Sequence, residues 1–132
     1  MSMKTIEQER AKFCIEQVKD RKQDKKYKSA AKSLPAFIVS NGLIPTLAFY
    51  KSKEDKKDVY NAINEWLKNR GFVKSDDALK WLVESDFQTL RLATIEALAI
   101  ANWLKRIVEV EIVEVEIKDQ ADDKKQKGLG KV

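Results

Sequence analysis

The sequence has no histidine and a single cysteine, Cys14. With no second thiol and no imidazole beside it, Cys14 can form neither an intramolecular disulfide nor a Cys/His zinc site, and it reads as a small buried apolar residue. Acid–base chemistry without histidine would need paired carboxylates of shifted pKa. The candidates, Asp76 with Asp77 and Ser85 with Asp86, stand where helix caps belong. Four glycines are too few for a phosphate-cradling loop, and none opens a G-x-x-x-x-G-K pattern. The expectation is therefore no catalytic residue, no metal site and no cofactor, so not an enzyme. Long hydrophobic runs are missing too. The longest charge-free stretch, Ser33 to Tyr50, is broken by Pro35, Asn41, Gly42 and Pro45, whereas a membrane span needs about 18 or more consecutive apolar residues. The opening MSMKTIEQER holds no apolar core of a signal peptide, so a cytoplasmic chain with no membrane partner is expected.

What is present is 132 residues, 43% of them apolar, enough for one modest core. Ala11, Cys14, Ile15 and Val18 follow the i, i+3, i+4, i+7 spacing of an amphipathic helix at about Thr5 to Arg21. Tyr27, Ala30, Ala31, Leu34 and Ile38 continue that period across Pro35, which should kink or restart the helix. Because the stripe reaches Asn41 on helical period, Asn41-Gly42 is a helix stop and not a hairpin turn, and Pro45 suits the first turn of the next helix. Ser52 with Asp55 resembles a capping box, and the stripe Val59, Ile63, Trp66, Leu67 ends at Gly71. A short helix carries Leu79, Trp81 and Leu82. A last, long helix is capped by Ser85 or Asp86, and its segment "ALAIANWL", apolar all round except Asn102, should run through the centre.

After Arg106 the pattern "IVEVEIVEVEIK" changes phase midway, which leaves strand with a bulge and continued helix both open. The reading is all-α, a compact bundle of about five to six helices spanning 1–117, with a long buried C-terminal helix and a polar tail over 118–132. Trp66, Trp81 and Trp103, each at helical spacing among Leu and Ile, read as core residues.

The net charge is +5 and unevenly spread. Lys19 to Lys32 holds seven basic residues against two acidic ones, while from Glu109 onward seven acidic residues face five basic ones. A basic segment on an otherwise balanced chain points to an anionic partner, most plausibly nucleic acid, or else to a solvated lysine-rich helix. Lys25, Lys28 and Lys32 share the face opposite the apolar stripe. On the last helix Arg91, Thr94, Asn102 and Lys105 make a polar strip on one face, which could equally be a protein contact.

Three phrases, "KYKSAAKSLPAFIVSNGLIPTLAFYKSK", "YNAINEWL" and "DFQTLRLATIEALAIANWLKR", resemble the small subunit of the type III-B CRISPR Cmr effector complex, in order from about Lys4 to Arg106. The resemblance implies a compact helical, non-catalytic subunit that stacks beside the guide-bearing backbone subunits and helps hold the target RNA, cleavage being done elsewhere. Its implied partners are other Cmr complex subunits, neighbouring copies of itself, and guide RNA and target RNA. Basic residues inside matched phrases are Lys28, Lys32, Lys51, Lys53, Lys105 and Arg106; Lys25, Arg91 and Asn102 join them on the physical grounds above. A structural spacer without RNA contact is the alternative. Since few apolar residues lie beyond Ile117, truncation there should leave the thermal unfolding midpoint nearly unchanged, as differential scanning calorimetry would show.

Overall fold

Six α-helices are formed among residues 3–112, the part of the chain that the computed structural model describes. They are α1 (Ile6–Val18), α2 (Lys25–Asn41), α3 (Leu43–Ser52), α4 (Lys57–Asn69), α5 (Ala78–Val83) and α6 (Phe87–Glu111). The all-α expectation holds. Helix α6 packs against α1, α2 and α4, while α3 lies against α2, α4 and α5.

Local chemistry sets the helix ends. Thr5 and Gln8 make a reciprocal capping box at the start of α1, with Gln8 N donating to Thr5 Oγ1 at 3.1 Å. Asp24, Asp77 and Asp86 cap α2, α5 and α6 by accepting from Tyr27 N, Lys80 N and Thr89 N. Gly42 ends α2 and opens α3, with φ +85° and ψ 166°, and its N–H donates to Ile38 O at 2.9 Å. Gly71, at φ +81°, ends α4. There Phe72 N donates to Leu67 O and Gly71 N to Lys68 O, the paired bonds of a Schellman motif.

Three local expectations are corrected. Helix α2 does not restart at Pro35 but runs through it. The prolyl ring and its neighbours Leu34 and Ile38 are buried, and that packing outweighs a helix-interior penalty of about 3 kcal/mol. Ser52 makes no capping box: it belongs to the last turn of α3, where its Oγ donates to Phe49 O at 2.8 Å, and α4 starts later, after Lys56, without a side-chain cap. Helix α1 stops at Val18, short of Arg21.

The core gathers Cys14, Val18, Ala31, Leu34, Leu47, Ile63, Leu67, Leu82, Ala97, Ile100, Leu104 and Val108. Cys14 is the inert residue expected, for burial pushes its thiol up to about 12. Tyr50 is buried and donates its hydroxyl to Ala30 O at 2.7 Å, which pins α3 to α2. Asp77 accepts from Lys51 Nζ at 2.5 Å and from the Tyr60 hydroxyl at 2.6 Å, joining α3, α4 and the start of α5. Those two bonds hold its carboxyl down to about 2. The pattern after Arg106 is settled as helix as far as Glu111; the rest of that phrase and the tail over 118–132 lie outside the described residues.

Gly42 occupies a region of φ/ψ that is essentially confined to glycine, so a side chain there costs of order 1–3 kcal/mol. An added Cβ would meet Pro45 Cδ only at 3.9 Å, an ordinary contact, so backbone strain and not crowding sets the cost. Gly42→Ala should therefore lower urea-unfolding stability by about 1–3 kcal/mol with an unchanged m-value.

Candidate nucleic-acid interface

The candidate interface is built on α6, and one buried carboxylate ties α6 to α1 and α4. Glu96 is only 7% exposed. Its Oε1 accepts from Arg10 Nη2 and its Oε2 from Arg10 Nε, both at 2.8 Å, and Oε2 also accepts from Trp66 Nε1 at 2.8 Å. Burial alone would raise the carboxyl's pKa, but the bonds from Arg10 and Trp66 outweigh it and leave the group below its ordinary value. Arg10 also donates to Glu7, whose other oxygen accepts from Trp103 Nε1 at 2.7 Å. The chain Trp66, Glu96, Arg10, Glu7, Trp103 thus runs from the core to the outside of α6.

Helix α6 is not buried all round. Within "ALAIANWL", Ala97, Ile100, Ala101 and Leu104 are buried, Leu98, Ala99 and Trp103 are half-buried, and Asn102 is exposed. The outer face continues toward the N-terminus through Ile95, 56% exposed, Leu92, Arg91 and Phe87, 75% exposed. Val83, at the end of α5 four residues before Phe87, is exposed as well. The outer face is therefore mostly apolar in its first half, with Arg91 among Phe87, Leu92 and Ile95, and mostly polar to basic in its second, where Asn102, Lys105 and Arg106 line adjoining depressions before exposed Val110. Lys105 and Arg106 make no ion pair with any described residue.

Of the other residues expected to meet RNA, Arg91 sits on this same outer face, eleven positions before Asn102. Lys25 and Lys32 are not buried on α2, but Lys28 between them is 4% exposed, so the expected continuous lysine face is interrupted. Lys51 is half-buried against Asp77. Lys53 is exposed, with its ammonium 5.6 Å from the centre of the Phe49 ring. Sequence reasoning missed Glu96, Arg10 and Glu7. The available signal was an acid inside an apolar helical run, "ATIEALAIA", which has to be satisfied once buried. Among the described residues, no three His, Cys, Asp or Glu side chains are placed to hold a metal ion. No helix among them is long and apolar enough to cross a membrane.

The described residues form an all-helical fold whose last helix leaves a part-apolar, part-basic face outside. Comparison with known proteins makes this specific. Residues 6–111 match the family described as CRISPR-associated protein (Cas_Cmr5). The CRISPR system Cmr subunit Cmr5 of Thermotoga maritima is 35% identical over 115 residues, which cover 83% of this chain and 87% of the relative. The crystal structure of a CRISPR-associated Cmr5 family protein from Thermus thermophilus superposes with a TM-score of 0.70 at 27% identity, over 83% of this chain and 99% of that one. The chain belongs to the Cmr5 family, as the phrases quoted above imply. The family match extends to residue 111, five positions past Arg106, where the likeness of those phrases stops.

Replacing Glu96 by Gln removes the buried carboxylate shared by Arg10 and Trp66 and leaves Arg10 only the more exposed Glu7, a change that costs about 1.5–3 kcal/mol. Glu96→Gln should therefore unfold at markedly lower urea concentration at neutral pH. Because the native carboxyl titrates below its unfolded value, the wild-type advantage is complete above the ordinary carboxylate range and shrinks as pH falls through the native value. Parallel urea curves at neutral and acid pH check both statements.

Proposed function

We propose that the chain is a non-catalytic small subunit of a cytoplasmic type III-B Cmr effector complex that uses the outer face of α6 for both protein and RNA. The observation that carries this reading is the division of that face. The apolar half, with Val83, Phe87, Leu92 and Ile95, is the kind of exposed cluster that marks a protein contact, here another Cmr subunit or a neighbouring copy of the chain. The basic half, with Asn102, Lys105 and Arg106, faces the target RNA strand where it pairs with the guide. Arg91, within the apolar half, and Lys25, Lys32 and Lys53 on and beside α2 and α3 supply further phosphate contacts. Lys28 and Lys51 serve the fold: one is buried and the other holds Asp77. Sequence discrimination falls to guide pairing, since phosphates carry no sequence information.

Two substitutions in the assembled complex separate the halves. Phe87→Asp with Ile95→Asp should leave the isolated chain as stable as before, both side chains being exposed, yet reduce its incorporation by about tenfold or more in co-purification. Lys105→Glu with Arg106→Glu should be incorporated normally but weaken target binding, lowering the slope of log affinity against log salt by about 0.7 for each phosphate no longer neutralised. Unchanged affinity and slope with incorporation intact would leave a structural spacer as the function.

A further inference from the structure

Two shallow depressions adjoin on the outside of α6 and share Asn102 and Arg106. The first is lined by Glu7, Ala99, Asn102, Trp103 and Arg106. The second is lined only by polar and charged side chains: Asn102, Lys105, Arg106 and Glu109. Their chemistry differs in the way that the two ends of a nucleotide differ. One offers an indole, a methyl group and an amide. The other offers two cations against one carboxylate, Glu109, and neither cation is in an ion pair with a described residue.

Trp103 is also held in place before any ligand arrives. Its Nε1 donates to Glu7 Oε2 at 2.7 Å, Glu7 accepts from Arg10, and Arg10 clasps the buried Glu96. An aromatic ring fixed in this way stacks without first giving up rotamer freedom. The Glu7 carboxylate, in turn, makes the first depression a poor place for a phosphate and a tolerable one for an uncharged base.

We propose that the two depressions together form a subsite for one nucleotide of a single RNA strand, with its base against Trp103 and Ala99 and its phosphate between Lys105 and Arg106. The inference deepens, and rests on, the reading of this half of α6 as RNA-contacting. It adds base contact to what phosphate contacts alone would give. Asn102, which borders both depressions, is placed to hydrogen-bond a base edge or the sugar. The subsite tolerates any base, because every base has a π-face to stack.

The test uses the full chain at low salt with two strands of equal length, oligoadenylate and the matching abasic ribose-phosphate polymer. Wild type should bind the base-bearing strand about tenfold or more tightly than the abasic one. Trp103→Ala should abolish that preference while leaving abasic binding unchanged, and Trp103→Phe should keep most of it. Glu7→Ala, a change at an exposed position that leaves the core intact, should reduce the preference by freeing the indole. Lys105→Glu should weaken both strands alike. Circular dichroism confirms that each variant is folded. Should Trp103→Ala retain the wild-type preference, or lose affinity for both strands equally, the subsite is overturned while a Lys105→Glu effect on both strands keeps the phosphate-contact reading. Absence of binding to either strand up to millimolar concentration overturns the preformed subsite and leaves that reading to the assembled complex.

Discussion

The register of α6 against α1 and α4 is set by a single buried anion. Glu96 is tolerated inside the bundle only because both of its oxygens are taken, by the Arg10 fork and by the Trp66 indole. Those partners come from α1 and α4, so one carboxylate fixes three helices against one another. Hydrophobic contacts alone would let α1 slide or rotate on α6, since Cys14 and Val18 are small and few. The directional bonds to Glu96 set the register, and Phe13 of α1, its ring 5.1 Å from that of Trp66, reinforces it. Glu7 and Arg10 lie one turn apart on α1, so the same helix that closes on the buried acid also carries the carboxylate that orients Trp103.

Much of this fold was legible in the chain. The helical period reaching Asn41 required Gly42 to be a stop, and its positive φ agrees. Asp77 and Asp86 were readable as caps because a short acceptor before an apolar run has few other uses. Ser52 and Asp55 carried a similar signal and misled, because helix α3 extended by a turn and absorbed the serine. Local motifs state what a residue is able to do; tertiary packing chooses. Lys28 shows the same limit. A helical wheel places it with Lys25 and Lys32, but a wheel records direction from its own axis and not how far neighbouring elements reach around it. The partnership of Arg10 with Glu96, 86 positions apart, has no local signature at all. The basic end of α6 was legible as composition, whereas the exposed apolar end was not, because Phe87, Leu92 and Ile95 look like core residues until the fold leaves them outside.

That exposed apolar end is informative about the helix. A helix of 25 residues that served only as a core strut would be apolar toward its partners and charged outward along its whole length. In α6 the outward side changes character halfway along, from Phe87 and Ile95 to Asn102, Lys105 and Arg106. The two kinds of surface are therefore spaced along one rigid rod, and on the function proposed above a neighbour docked on the first half would have a fixed distance to whatever lies on the second. Membership of the Cmr5 family gives this spacing a setting in which it is useful.

The Arg10 and Glu96 pairing has a further consequence during synthesis. Helix α1 leaves the ribosome well before its partner α6 has been made. At a translation rate of about 5–20 residues per second, the interval between Arg10 and Glu96 is roughly 4–17 seconds, far longer than helices take to form. For that time Arg10 has no Glu96 to meet, although α1 can already rest on α4 through Phe13 and Trp66. The ion pair that joins α1 to α6 is therefore among the last contacts that the chain can make.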